Sequence, residues 1–516
     1  MQPFDRWMTV RSQQSDRKMP DTHFAPPTDV ASADPRRWVA MTILLLASFM
    51  NLMDVTIVNV AIPSMQTNLN ASPSQIEWVI AAFVLAFALG LLPFGRLGDI
   101  VGRKGMFLIG VSLFTVGSLL CGIAPSIETL IAARALQGFA GSVMTPQVLA
   151  IAQVIFPPRE RGLAFSLFGL SAGLASVAGP LIGGSLIAGN FFGLDWRPIF
   201  LVNIPFGILA VIAGAAWIIR VPPHPGLRND YLGIGLFGAA ILLLVYPLIE
   251  GRSYGWPWWA FAMIAASVVL MAAFFFWQKQ REAAGNTQLL PVTLLTNRNF
   301  LVGALITTIF ASGVPGFFLT FSIFLQSGFG FTPLQSGLTG VPFSVGVVIA
   351  SLTSGRLGSR YLPQRFALGA ILLAIGMAYT RWIISRATTN VDQIAFLPSL
   401  AIAGVGLGIA FAALFQMVLA GVPHRDAGSA AGALQAFQQA GGALGVAIAG
   451  EIFFTWLEHA RDWGATSKGT GFANAASAST IYVVAVFVAA AALVPLLKRL
   501  PKPTADARTA PVVAEV

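Results

Sequence analysis

Charged residues and cysteine are both scarce in this chain of 516 residues. Only 10% of its residues are charged, whereas 56% are hydrophobic, and the mean hydropathy is +0.75. Because a soluble domain carries about a quarter charged residues, this composition excludes a water-soluble protein. The single Cys121 cannot form an internal disulfide, and it falls within an apolar run, so we interpret it as a packing residue.

The chain also lacks the residue patterns of metal and nucleotide sites. Its four histidines, His23, His224, His424 and His459, lie in predicted tails or loops, and none pairs at metal-ligand spacing. No GxxxxGK[ST] sequence occurs, which argues against a pump that carries its own ATP site. We therefore expect no cofactor and no metal.

What the chain does have is a series of long apolar runs, the first of which starts at Trp38. Runs of about 20 apolar residues span a bilayer as helices, because lipid offers the backbone no hydrogen bonds. The pattern predicts fourteen spans, at about 38–62, 76–94, 105–124, 127–155, 163–189, 198–219, 232–249, 258–277, 300–325, 336–353, 366–384, 395–416, 430–456 and 478–497.

The basic residues indicate how these spans are oriented. If the N-terminus is cytoplasmic, 24 of the 31 Lys and Arg residues lie inside, 6 lie outside, and Arg134 lies within a span. Positive residues collect on the cytoplasmic side of membrane proteins, so both termini are predicted to be cytoplasmic. This asymmetry accounts for the net charge of +10 without a nucleic-acid partner.

A short sequence repeat indicates the domain organisation. GRLG at 95–98 follows the second span and returns at 355–358 after the tenth, 260 residues later. Parallel internal repeats are typical of transporters. The repeat predicts a six-helix bundle at 38–219, two inserted helices at 220–299 and a second six-helix bundle at 300–497. The polar, proline-rich residues 1–37 are predicted to be a disordered cytoplasmic tail, and residues 498–516 a second cytoplasmic tail.

Two charged residues stand deep inside predicted spans. Asp54 lies 16 residues into the first span, about 24 Å along a helix, and a carboxylate in hydrocarbon is a functional candidate. Arg134 lies about 12 Å into the fourth span and needs a partner, so we expect it to pair with Asp54 directly or through water. Gln137, one turn further on, should face the same side. A purely structural ion pair is the alternative.

A third acidic residue, Glu451, lies toward the outer end of the thirteenth span, with Gln438 and Gln439 on the same span. Glu451 is either a second acidic group near a central cavity, for protons or a cationic substrate, or a side chain that reaches the outer interface. Together with Asp54 and Gln137, these residues are the candidate lining of the substrate cavity.

Several motifs resemble those of the major facilitator superfamily, in particular its fourteen-span drug/proton antiporter group. GRLGDIVGRK at 95–104 is similar to the loop signature between spans 2 and 3. The other matches are NLMDVTIVNVAIP at 51–63, RALQGFAGSVMTP at 134–146, GLASVAGPLIGG at 173–184, DWRPIFLVNIPFG at 195–207 and AGGALGVAI at 440–448.

The resemblance implies an all-α fold of two six-helix bundles plus two extra helices. It implies proton coupling at Asp54, tuned by Arg134. It also implies a gating loop, with Gly95, Gly98 and Gly102 making a tight turn, Arg103 and Lys104 holding the loop inside, and Asp99 latching the halves in one state. Because Ser359 stands where Asp99 would recur, that latch should be one-sided. The antiporter motif, which should close one end of the pathway, comprises Gly173, Gly179, Pro180, Gly183 and Gly184.

The resulting functional prediction is a proton-coupled exporter of small amphipathic drugs or metabolites that works by alternating access. An importer or a lipid or metabolite transporter on the same scaffold is an open alternative. A membrane enzyme is disfavoured because no cluster of His or carboxylates is apparent at one membrane face. A channel would not need the repeated gating loop.

The expected partners are a small amphipathic substrate, protons and the lipid bilayer. We expect the plasma (inner) membrane as the location. The sequence leaves open whether the protein is a monomer or works with a periplasmic adaptor.

Overall fold

The computed structural model describes residues 36–497, apart from 157, 221–229, 252–253, 287, 291, 356–360, 389, 420–421, 423–426, 461 and 463–466. Of the predicted N-terminal tail, only Arg36 and Arg37 are described, and they begin the first helix rather than belonging to a tail. The C-terminal tail 498–516 and the GRLG echo beyond Gly355, including Ser359, lie outside the described residues.

All the regular elements among the described residues are helices. The α-helices are α1 Arg36–Asn68, α2 Pro73–Val101, α3 Arg103–Gly122, α4 Ile127–Ile155, α5 Pro158–Gly189, α6 Pro198–Leu201, α7 Asn203–Trp217, α8 Tyr231–Glu250, α9 Trp258–Ala283, α10 Val292–Leu295, α11 Arg298–Ile323, α12 Pro333–Gly355, α13 Leu362–Ile384, α14 Phe396–Leu419, α15 Ala427–Glu458 and α16 Lys468–Leu493. A π-helical turn, Phe324–Gly328, continues α11.

Fourteen long segments of the described chain match the fourteen predicted spans in order, with α6 and α7 forming one broken segment. By length and composition, twelve of them are long and apolar enough to cross a membrane. The other two, α4 and α5, have 29 and 32 residues and pack among them. The interior of α4 carries Arg134, Gln137 and Gln147, which lower its apolarity. The chain is an all-α, multi-pass membrane protein.

Helix starts are set by local side-chain hydrogen bonds. Ser72, Ser126 and Ser467 each accept a hydrogen bond from the backbone N–H three residues later and form a reciprocal capping box. Such caps satisfy backbone groups that have no partner within the helix. The starts of α2, α4 and α16 therefore expose few unpaired backbone groups to the bilayer.

The packing of α1–α7 is repeated by α11–α16. Both α2 and α3 pack on α4, just as α12 and α13 pack on α14, and α1 pairs with α5 as α11 pairs with α15. This correspondence places α8 and α9 between the two copies. These two helices pack on each other, and α8 also contacts α2 and α15. We call α1–α7 the first half and α11–α16 the second half; the predicted domain boundaries stay a prediction.

The two halves approach each other most closely where α5 meets α12. A Cβ on Gly337 would lie 2.5 Å from the carbonyl oxygen of Pro180, and a Cβ on Gly184 would lie 2.7 Å from the Cα of Leu334. Only glycine allows two helix backbones to come this close. This crossing lies near the end of α5 and the start of α12. It is therefore on the side of the bundle that holds the α1–α2 connection at Leu69–Ser72, which we call the α1–α2 side.

Hydrogen bonds join α1 to the second half on the same side. Pro63 has no N–H, so the carbonyl of Asn59 lacks its usual helical donor. Ser322 Oγ donates to that carbonyl at 2.7 Å, and Gln326 Nε2 donates to the carbonyl of Val60 at 2.9 Å. Gln326 lies in the π-helical turn, a distortion that is frequent at functional sites.

A buried polar cluster holds the α8–α9 pair together at the opposite end. Asp230 caps α8 by accepting from the N–H of Gly233, and it also accepts from Trp277 Nε1 at 2.9 Å and Gln278 Nε2 at 2.7 Å. Arg281 lies 3.8 Å from the same carboxylate. Burial raises the pKa of Asp230, but these hydrogen bonds and the Arg281 charge outweigh burial and hold the pKa below its usual value.

Candidate functional site

The centre of the first half is a completely buried carboxylate. Asp54 lies in the middle of α1 and is 0% exposed. Its Oδ2 atom lies 2.5 Å from Nη1 of Arg134, which is 1% exposed. An isolated charge in such a place would be very costly, so each of these two charges depends on the other.

The guanidinium of Arg134 is held from three directions. Its Nε donates to the carbonyl of Val79 on α2 at 3.1 Å, and its Nη1 also donates to Gln137 Oε1 at 2.6 Å. The Phe83 ring lies 4.3 Å from the guanidinium carbon, which adds a cation–π contact. Arg134 therefore stays in place through contacts that do not depend on the charge of Asp54.

Close packing between α2 and α4 makes this geometry possible. Gly138 follows Gln137 on α4, and a Cβ there would overlap the backbone carbonyl of Phe83. Without a side chain at this position, α4 lies directly against α2, which brings Arg134 within reach of Val79. The sequence RALQGFAG thus supplies both the polar side chains, Arg134 and Gln137, and the glycine, Gly138, that lets α4 pack closely enough against α2 to orient Arg134.

Gln137 links Asp54 to the third helix. Its Nε2 donates to Asp54 Oδ1 and to Ser118 Oγ, both at 2.8 Å, and its Oε1 also accepts from the thiol of Cys121 at 3.6 Å. Both ends of the Gln137 amide are consequently occupied, which fixes its orientation.

A fourth contact comes from the broken sixth segment. The helix ends at Leu201 and resumes at Asn203, which is 0% exposed. Asn203 Nδ2 donates to Asp54 Oδ1 at 3.1 Å. Its own Oδ1 is buried and has no hydrogen-bond partner among the described residues. We call Asp54, Arg134, Gln137 and Asn203 the Asp54 network.

The arrangement ties several helices to the charge of one carboxylate. In its ionised form, Asp54 balances the Arg134 charge and accepts three hydrogen bonds from side chains. Protonation removes that balance while Arg134 remains held by Val79 and Gln137. Loss of one partner from a buried ion pair is worth about 3–5 kcal/mol. The network therefore couples the charge of one carboxylate to contacts among α1, α2, α3, α4 and α7.

The second-half candidates lie on α15. Glu451 lies on α15, where it accepts from Trp256 Nε1 at 3.2 Å and Thr455 Oγ1 at 3.4 Å. Gln438 and Gln439 are half-buried on the same helix. None of the hydrogen bonds found among the described residues joins these three to Asp54. Their role in the cavity stays a prediction.

Three carboxylates, Glu77, Glu128 and Glu250, stand at predicted span ends, a position that predicts mostly solvated side chains. For Glu77 this is wrong, because it is only 1% exposed. It packs between α2 and α15, where a Cβ on Gly450 would lie 2.5 Å from Glu77 Oε1. The contact between halves buries it, which the sequence of one span does not reveal. By contrast, Glu128 is exposed and accepts from Gln75 Nε2, and Glu250 accepts from Trp78 Nε1.

The predicted gating loop needs a second correction. Helix α2 runs through Gly95 and Gly98 to Val101, so these glycines do not form the turn. Only Gly102 does, with a φ of 114° that favours glycine. Gly98 instead lets α2 approach α4, because a Cβ there would overlap the side chain of Gln147. The helix continues because this packing outweighs the weak helix propensity of glycine.

The basic residues of this segment bind neighbouring helices of the same half. Arg103 Nη1 donates to the carbonyl of Ala150 on α4, and Lys104 Nζ donates to the carbonyl of Ala215 on α7, both at 2.8 Å. Asp99 lies in the last turn of α2, and its side chain lies outside the described part of the chain. Its role as a latch stays a prediction.

Members of the antiporter motif face two different neighbours from α5. Gly179 and Gly183 face α1, where added Cβ atoms would meet Thr56 and Ile57. Pro180 and Gly184 face α12, as described above. Gly173 also lies in α5, but its surroundings lie outside the described part. The motif therefore supports both the α1–α5 pair and the contact between halves.

No group of three or more His, Cys, Asp or Glu residues in the described ranges is placed to hold a metal ion. The site that the described residues do form is an ion-paired carboxylate inside a helical, membrane-spanning repeat. A buried ion pair inside a helical repeat of this kind is typical of membrane transporters. Residues 44–233 and 228–446 match the Major Facilitator Superfamily, and the chain belongs to that family.

Two relatives and one solved structure illustrate the similarity. The probable actinorhodin transporter of Streptomyces coelicolor is 37% identical, with 89% of this chain and 83% of that protein covered. The tetracenomycin C resistance and export protein of Streptomyces glaucescens is 30% identical, with 84% and 79% covered. The crystal structure of a bacterial homologue of the human lysosomal transporter Spinster, inward-facing and occupied, has a TM-score of 0.64 at 16% identity, covers 90% of this chain and 97% of that one, and shows the same fold.

Proposed function

We propose that this transporter is a proton-coupled antiporter that exports small amphipathic drugs or metabolites. The observation that carries the proposal is the complete burial of Asp54 against Arg134, in the network of hydrogen bonds described above. Proton coupling needs a group whose charge changes the energy of the surrounding helices. Asp54 is such a group, because its three partners lie on α4 and α7, and two of those partners also bind Val79 of α2 and Ser118 of α3.

The size of the effect suits a conformational switch. Neutralising Asp54 leaves Arg134 without its countercharge, at a cost of about 3–5 kcal/mol. Inverting a two-state population from 1:99 to 99:1 takes about 5.5 kcal/mol. One proton at Asp54 therefore supplies much of the free energy needed to change which conformation is preferred.

The charge asymmetry supports a direction for the cycle. We place the α1–α2 side outside and both termini in the cytoplasm, because most Lys and Arg residues fall on the other side. The close α5–α12 crossing and the Ser322 and Gln326 hydrogen bonds then close the outer end in this conformation. A proton from outside binds Asp54 and promotes drug release outward, and its loss to the cytoplasm resets the site.

The substrate class rests on the relatives. Proteins named for actinorhodin transport and for tetracenomycin C resistance and export match most of this chain. Antibiotic-like molecules are the corresponding proposal here, with Gln137, Gln438, Gln439 and Glu451 as cavity residues. The family membership supports transport rather than an enzymatic reaction.

Drug-driven proton exchange in everted membrane vesicles tests the proposal. The drug is one to which expression of the protein confers resistance, and an acidic vesicle lumen is monitored with a pH-sensitive dye. We expect the drug to release protons from vesicles with the natural chain, and Asp54→Asn to abolish that release. Glu128→Gln is the matched control, because Glu128 is exposed at the start of α4, and it should behave like the natural chain.

If Asp54→Asn retains drug-driven proton exchange, the proton-coupling role of Asp54 is wrong. An importer gives a different result. With an exporter, drug accumulates in the everted vesicles as the proton gradient collapses, whereas with an importer drug leaves them. The direction of drug movement therefore separates export from import on the same preparation.

A further inference from the structure

We propose that Asn203 is a positioning residue for the proton on Asp54. When Asp54 is protonated, the side-chain amide of Asn203 rotates by 180°, and its carbonyl oxygen then accepts a hydrogen bond from the Asp54 O–H. The inference rests on the proposed function, because it assumes that Asp54 takes up a proton. It assigns a role to a residue that lies within DWRPIFLVNIPFG and that the sequence interpretation did not select.

The contacts of Asp54 determine which oxygen takes the proton. Oδ2 faces the guanidinium of Arg134, which only donates hydrogen bonds. A proton on Oδ2 would point an O–H at a cation. Oδ1 faces two neutral amides, those of Gln137 and Asn203. The proton therefore binds Oδ1, and its O–H needs one of these amides to present a carbonyl oxygen in place of its NH₂ group.

Gln137 cannot make this change. Its Nε2 donates to Ser118, and its Oε1 accepts from Arg134 and from the thiol of Cys121. Rotating that amide by 180° would place its NH₂ group against the guanidinium and remove the hydrogen bonds that Arg134 and Cys121 donate to Oε1. Hydrogen bonds to charged groups are worth about 1.5–3 kcal/mol each, so the reversed form is strongly disfavoured.

Asn203 has no such restraint. The Nδ2–Asp54 hydrogen bond is the one its side chain makes among the described residues, and its buried Oδ1 has no partner there. After a half-turn about the Cβ–Cγ bond, Oδ1 accepts from the new O–H and Nδ2 becomes the group without a partner. One hydrogen bond breaks and one forms, and the number of unsatisfied amide atoms stays the same.

Other titratable groups near Asp54 do not offer an alternative acceptor. Arg134 of α4 is a cation, and Cys121 of α3 is bound to Gln137. Apart from α2, five further helices pack against α1. Of these, α6, α7 and α12 carry no titratable side chain, and α5 and α11 carry such side chains only in their first turns. On α2, Glu77 packs toward α15, whereas Val79 and Phe83 face Arg134.

Infrared difference spectroscopy of the full-length protein in proteoliposomes, between alkaline and acidic buffer, tests the inference. The carboxylic-acid C=O band of Asp54 is identified by its loss in Asp54→Asn. With asparagine carrying ¹³C in its side-chain carbonyl, acidification should move one labelled amide band to lower wavenumber, because that oxygen gains a hydrogen bond. This band should be missing in Asn203→Leu.

In Asn203→Leu, the Asp54 acid band should move to higher wavenumber, because its O–H has lost its acceptor. Asn59→Leu is the matched control, since Asn59 lies on the same helix as Asp54 and donates only to carbonyls of its own helix among the described contacts. The midpoint pH is not a useful readout, because both forms of Asp54 lose one hydrogen bond in Asn203→Leu. If Asn203→Leu does not fold, Asn203→Ala and the labelled natural chain give the same comparison.

An Asp54 acid band at the same position in Asn203→Leu, with no labelled amide band that responds to acid, overturns the role of Asn203 but leaves proton binding at Asp54 intact. If no acid band of Asp54 forms in the natural chain, the proposed proton-coupling function fails as well. The two failures are therefore distinguishable in one set of spectra.

Discussion

Replacing the two charges of the Asp54 network one at a time and together should have strongly non-additive effects on stability. Asp54→Asn leaves Arg134 buried without a countercharge, and Arg134→Gln leaves the carboxylate buried with only amide donors. Each single change should lower the free energy of unfolding by about 3–5 kcal/mol. We expect Asp54→Asn at the lower end of that range, because Val79, Gln137 and the Phe83 ring still hold the guanidinium.

The double variant removes both charges and should cost less than the sum of the two single changes. The interaction energy should be about 2–3 kcal/mol, the upper part of the range for residues in direct contact. Unfolding of the purified protein in mixed SDS–detergent micelles measures all four forms of this cycle. If the two single changes add to within about 0.5 kcal/mol, the two groups do not form an ion pair in the folded protein.

Three further changes test the packing around the site. Gly138→Ala forces α2 away from α4 and should lower both stability and transport. Gly235→Ala is the control, because Gly235 has open space around it, and it should leave stability unchanged or raise it by up to about 1 kcal/mol. Equal thermal midpoints for the two variants would contradict this. Asp230→Asn replaces an acceptor oxygen with an NH₂ group, which cannot accept from Trp277 or Gln278. The end of α9 should then be less firmly held, so trypsin should cleave at Arg281 several-fold faster. An unchanged cleavage rate would show that the cluster does not hold α9. Gln326→Ala removes a hydrogen bond between the halves, so spin labels on the two halves at the α1–α2 side should show a larger separated population, and an unchanged distance distribution would contradict this.

The Asp230 cluster should also respond to pH. The pKa of Asp230 is lower in the folded protein than its usual value near 3.9, so its contribution is fully present above that value. The contribution is lost as the pH falls through the lowered folded-state pKa. The difference in thermal stability between the natural chain and Asp230→Asn should therefore persist near neutral pH and shrink as the pH falls below about 3.9. A constant difference across this range would assign the effect to shape rather than charge.

The sequence predicts the parts of this structure that follow from the bilayer. Long apolar runs give the spans, and the high cost of a charge in hydrocarbon predicts that Asp54 and Arg134 meet, as their 2.5 Å separation shows. Gln137 could be placed by helical spacing alone, because one turn on α4 puts it beside Arg134.

The remaining features depend on contacts between distant segments. Asn203 is neutral, so no charge penalty draws attention to it, and it reaches Asp54 because the sixth segment breaks before it. A lone amide in an apolar run was the available signal. Glu77 is buried by α15, which lies more than 350 residues further along the chain. Gly95 and Gly98 suggest a turn when considered locally, but packing against α4 keeps them helical.

The most direct test of the central claim is the number of protons released when a transported drug binds the purified protein in weakly buffered solution. The account holds that Asp54 is protonated when no drug is bound and ionised when drug is bound. The natural chain should therefore release protons on drug binding, and Asp54→Asn should release none. Proton release that is equal in the two forms, at comparable drug occupancy, would contradict the account.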